Sequence, residues 1–136
     1  VPRPELPAYL ASSDACLVHF RKDDLFGTIL PSKFFEDAAM ERPILLGFEG
    51  DARAMLEDAD CGIAFEPSND TALAAAVERL AAAPAEERRR LGENGRRYVL
   101  ERFDRRKLAH DYLQILERVR GEHRRGAGER PRAALL

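Results

Sequence analysis

The chain has 136 residues, enough for one domain with a real core, or for part of a larger one. Its 45% hydrophobic and 34% charged residues are those of a soluble globular protein and exclude a disordered one. A formal net charge of -2 lacks the basic excess of a wholesale nucleic-acid binder, and no nucleic-acid partner is expected. No apolar run approaches the ~20 residues that span a bilayer, and the opening residues do not have the pattern of a signal peptide.

In chain order, "ELPAYLASS" reads as a short amphipathic helix with Leu6, Tyr9 and Leu10 on one side. "ACLVHF" (15–20) is a compact apolar run suited to a buried strand. A polar loop follows, then a helix from about Pro31 to Met40. "PILLGF" (43–48) is a second strand, "GDARAMLEDA" a second helix, and "GIAFE" (62–66) a third strand. "NDTALAAAVERLAAAP" has an Asx-type start and a proline stop around a further helix. Beyond it lie only helical segments, broken near Phe103 and Asp104, and in the last of them Leu108, Tyr112, Ile115, Leu116 and Val119 form one stripe. The two cysteines, Cys16 and Cys61, sit in apolar runs far apart. They read as buried, reduced thiols of a cytoplasmic protein, without the spacing of a metal site or a disulfide framework.

Strands alternating with helices predict an α/β fold with a parallel sheet wound from βαβ units. Three strands are about half of a doubly wound domain. The expectation is therefore the back half of a Rossmann-like domain, cut from a longer chain. Residues 1–103 form the partial Rossmann-like domain in this reading, 104–120 a C-terminal helix, and 121–136 a disordered Gly/Arg-rich tail.

The stretch "GTILPSKFFEDAAMERPILLG" (27–47) places a lysine where a helix least favours one. Lys33 falls in the first turn, where backbone N–H groups point outward and the dipole end is positive. Glu36 follows one turn later on the same side. In open α/β sheets ligands bind beyond the carboxyl ends of the strands, facing helix N-termini. Lys33 would there act as a point charge on a phosphate. Glu36 would accept hydrogen bonds from ribose hydroxyls, as acidic residues do in dinucleotide folds. The competing reading is an exposed i, i+3 ion pair worth ~0.2–0.5 kcal/mol, with Ser32 a helix cap and nothing more. Four residues separate Ser32 from Glu36, so a capping box does not account for it.

The run "ELPAYLASSDACLVHF…ILPSKFFEDAAMERPILLG…GIAFEPSNDTALAAAVERL…GENGRRYVLERFDRRKLAHDYLQIL" resembles the C-terminal half of a GT-B glycosyltransferase. It is most similar to the glycosyltransferase-4-like group that builds colanic acid, capsule and O-antigen sugars. The resemblance covers residues 5 to 117, and "P-S-K-x-F-E-x-x-A" is its most specific part. It implies a nucleotide-sugar-binding Rossmann-like domain in which Lys33 meets the donor pyrophosphate and Glu36 holds the ribose. Backbone amides at Ser32 and the Gly50 turn would lie close to the phosphates or the donor sugar. It further implies a UDP-sugar donor, a glycan or lipid-linked acceptor, a partnering N-terminal domain that carries the acceptor side, and no bound metal or other cofactor. Two departures stand out. Thr28 occupies the position where many relatives carry a first glutamate eight residues before the second, and the "Gly-Gly-x-x-Glu" turn reads Glu49-Gly50-Asp51-Ala52-Arg53. No catalytic residue can be named.

Other residues carry weaker readings. His19, at the end of the first strand, is either donor-side or a satisfied structural histidine. Arg21 and Lys22 would steer an anionic donor or a lipid-phosphate acceptor by their field, or belong to a solvated loop. Asp23, Asp24 and Glu49 do not make a metal set. The arginine-rich tail is a candidate for peripheral membrane contact, at the inner face of the membrane. The alternative to an enzyme is a non-catalytic βα module that binds a nucleotide or a protein partner.

Overall fold

The computed structural model describes residues 2–22 and 29–128. A single 3-10 turn at Arg3–Glu5 leads into α1 (Leu6–Ala11), which forms as expected but buries none of its residues. Three short strands follow: β1 (Cys16–His19), β2 (Ile44–Gly47) and β3 (Gly62–Ala64). They form one sheet in the order β1-β2-β3, every neighbour parallel, with Leu17 opposite Leu45 and Leu45 opposite Ile63. Each crossover carries a helix, α2 (Ser32–Ala39) after β1 and α3 (Asp51–Ala59) after β2. After β3 come α4 (Asp70–Ala82), α5 (Ala85–Phe103) and α6 (Arg105–Gly128).

The central strand is buried along its whole length, which is why it reads as an unbroken apolar run. On one face Val18, Ile44 and Leu46 pack with Phe34 and Ala38 of α2, Ala52 and Leu56 of α3, Cys61, and Val99 of α5. On the other, Leu45 packs with Phe65, with Ala76 and Leu80 of α4, and with Leu91 of α5. Both cysteines are buried free thiols; burial pushes Cys16 up to about 11 and Cys61 up to about 12, so neither is a ready nucleophile.

Local chemistry sets the helix ends. Asn69 caps α4, its side-chain oxygen accepting from the Ala72 N–H at 2.9 Å. Ala83 is extended because Pro84 follows it, and the helix stops there. Asp104 starts α6 by accepting from the N–H groups of Arg106 (2.9 Å) and Lys107 (3.0 Å).

The chain divides into two compact units, residues 1–102 and residues 103–136. The second unit is α6, which continues to Gly128 and so orders residues 121–128, where a disordered tail was expected. Residues 129–136 lie outside the described residues. Among the described residues no helix is long and apolar enough to cross a membrane.

Candidate functional site

In a parallel sheet every crossover helix begins at the carboxyl ends of the strands. The N-terminus of α2, the Gly50 turn before α3, and the segment from Phe65 to Asn69 before α4 therefore gather at one end, with His19. Pro31 is the N-cap of α2, with φ -70° and ψ 125°, and Ser32 is its first helical residue. Ser32 is thus not the cap that one reading made it. Its N–H belongs to the open first turn.

Lys33 and Glu36 are both exposed, and no ion pair joins them. The exposed-pair reading therefore loses its contact. Lys33 acts electrically on a residue that sequence reasoning overlooked. Asp37, one helical turn on, is only 3% exposed. Burial pushes its carboxyl up to about 6, while the Lys33 charge and a hydrogen bond from the Cys16 thiol pull it back. The sign of this residue was visible: Asp37 is three positions after Phe34, on the stripe with Ala38 that faces the sheet. Beneath the exposed Lys33 and Glu36, α2 thus hides a carboxyl that titrates near neutrality.

The Gly50 turn requires its glycine. Gly50 has φ 66° and ψ -141° as the N-cap of α3, a conformation that a side chain would strain. Gly47 is constrained differently: a Cβ there would run into the rings of His19 and Phe65.

His19 is bound on two sides. Its ring lies 5.7 Å from that of Phe65, and its Nε2 accepts the N–H of Ser68 at 3.2 Å. Ser68 itself sits at φ 60°. Its Oγ accepts the backbone N–H of Lys22 at 2.8 Å. The Lys22 ammonium lies 3.1 Å from Glu66 Oε1 and 3.9 Å from Glu49 Oε1. Asn69 donates to the other Glu66 oxygen at 3.0 Å. Hydrogen bonds from Asn69 and Lys22 hold the Glu66 carboxyl below its usual range. Lys22 is therefore engaged by two carboxylates rather than left to a solvated loop. Glu49 is an ion-pair partner. Ser68 and Glu66 gave no sequence signal for these contacts, which join positions more than forty apart, whereas Asn69 was read as the start of α4.

Arg21 is exposed beside this cluster. Thr28, Asp23 and Asp24 lie outside the described residues. Among the described residues no group of three or more His, Cys, Asp or Glu side chains is placed to hold a metal ion. A groove of about 360 Å³ lies elsewhere, against Ala15, Leu45, Val77 and Leu80. Asp14 and Arg88 also line it, and it includes none of Lys33, Glu36 or Gly50.

Lys33 and Glu36 are thus exposed at the carboxyl end of a parallel α/β sheet. The glycosyl transferase-like family matches residues 1–114. The chain belongs to that family. Among solved structures it is similar to sucrose-phosphate synthase from Thermosynechococcus elongatus, with a TM-score of 0.70 and 23% identity. The match covers 84% of this chain and 27% of that one, so this chain spans about a quarter of the relative's length. At that identity the likeness establishes the fold, the one expected of a GT-B domain. No curated protein matches the chain.

Proposed function

We propose that this chain is the donor-binding part of a nucleotide-sugar-dependent glycosyltransferase. It takes a UDP-sugar, and the sugar passes to a hydroxyl of a glycan or lipid-linked acceptor held by an N-terminal domain. The observation that carries this reading is the state of Lys33. It is exposed in the first turn of α2, at the carboxyl end of β1, and is not paired with Glu36. A lysine there opposes the helix dipole and finds its natural partner in an anion.

In this reading Lys33 neutralises the donor diphosphate, together with the open N–H groups of α2 and the Gly50 turn. As the glycosidic bond breaks, charge builds on the leaving diphosphate, and these fixed groups stabilise it electrostatically. Glu36 accepts from the ribose hydroxyls. The chemistry needs no resident cofactor. Calorimetric titration of UDP-, GDP- and ADP-sugars tests the assignment. Saturable binding, tightest for a UDP-sugar, is the expected result. Absence of heat with all three overturns it.

A further inference from the structure

We infer that His19 and Ser68 are positioning residues of the donor site: with Lys22 they latch the β3–α4 turn onto the end of β1. This rests on the donor-binding reading above and extends it to residues that need not touch the ligand. Three hydrogen bonds join residues 19–22 to residues 66–69, and a fourth lies within the latter. Ser68 N–H donates to His19 Nε2, Lys22 N–H to Ser68 Oγ, Lys22 Nζ to Glu66 and Asn69 Nδ2 to Glu66. Glu49, next to the Gly50 turn, closes the set through Lys22. The latch thus ties together the turns that follow all three strands, where the donor would lie.

The geometry also assigns a tautomer. Because Nε2 accepts a backbone N–H, the neutral ring must carry its proton on Nδ1. Phe65 backs the ring, and Gly47 leaves room for it. Among the described residues the charged groups of the cluster are Lys22, Glu49 and Glu66.

The test has two arms. NMR of the imidazole nitrogens in the whole chain should show His19 protonated at Nδ1 near neutral pH. A ring protonated at Nε2 overturns the latch whether or not any nucleotide binds. The second arm measures UDP-sugar affinity at one fixed pH. His19→Phe should weaken binding about two- to tenfold, as should Ser68→Ala, which keeps the backbone demand and removes only the acceptor. His19→Gln, whose amide oxygen can accept the Ser68 N–H, should recover the affinity. Affinity unchanged in His19→Phe and Ser68→Ala, or as weak in His19→Gln as in His19→Phe, overturns the positioning role. If wild type binds no nucleotide-sugar, that role falls with the donor reading, and the NMR arm still shows whether the latch exists.

Discussion

Beneath α2 and α3 the sheet presents Cys16, Val18, Ile44 and Leu46, all buried, whereas on the α4 face the cover stops short of β1. There Leu45 is buried, but its register neighbour Leu17 is 46% exposed, and Val77 of α4 is 44% exposed. The closed face holds α2 by Phe34 and Ala38, and so fixes the helix turn that bears Lys33. The open face carries apolar side chains, and β1 is an edge strand of the sheet. Lys33 is therefore held from the closed face, whereas Leu17 lies on the open one, which it shares with His19.

The largest expected difference is in packing. Phe34→Ala on the closed face should cost about 3–5 kcal/mol, against less than about 1 kcal/mol for Leu17→Ala on the open one. Urea unfolding of the two variants measures both. Equal losses would mean that the faces are not unequal after all.

Asp37→Asn sharpens the same contrast, because the closed face buries a carboxylate at a cost. With its folded pKa raised to about 6, Asp37 takes up protons on folding between its unfolded value and that figure. Wild-type stability should therefore fall as pH rises through that window. The uncharged amide escapes this loss and should be more stable by up to about 3 kcal/mol at pH 7, a gain that fades below about pH 4. Thermal melts at the two pH values decide it, and a neutral or destabilising substitution at pH 7 would show that the Lys33 charge and the Cys16 hydrogen bond already offset the burial.

The smallest effect concerns association. An edge strand with apolar neighbours pairs readily with another chain. We expect self-association that Leu17→Lys weakens by about tenfold, since a lysine on an edge strand opposes pairing. Sedimentation across a concentration series reads this, and a wild-type monomer at every concentration would contradict it.

The order of elements was legible because its signals are local. Apolar runs marked β1, β2 and β3, Asn69 marked the start of α4, and Pro84 its end. Strand lengths were read too long: 62–66 shrinks to Gly62–Ala64, although the Phe65 N–H still donates to Leu46 O of β2 at 2.9 Å. The extension of α6 was missed because Gly121 and the arginines after it suggested a tail, although one glycine in a helix costs only about 1 kcal/mol. Within the site, Lys33 and Glu36 could be singled out by position in the helix. The Lys22–Glu66 and His19–Ser68 contacts could not, because they join residues brought close only by the crossovers. Asp37 stood in plain view on an apolar stripe.

The central claim is that Lys33 and Glu36 hold a nucleotide. Its most direct test is UDP affinity in wild type, Lys33→Ala and Glu36→Gln, measured at low and high salt. The account predicts that Lys33→Ala weakens binding by ~1.5–3 kcal/mol, the size of a charge-assisted hydrogen bond, and blunts the salt dependence. It predicts that Glu36→Gln reduces discrimination between ribose and deoxyribose nucleotides. If both variants bind UDP as the wild type does, the two residues are ordinary surface charges and the donor site lies elsewhere.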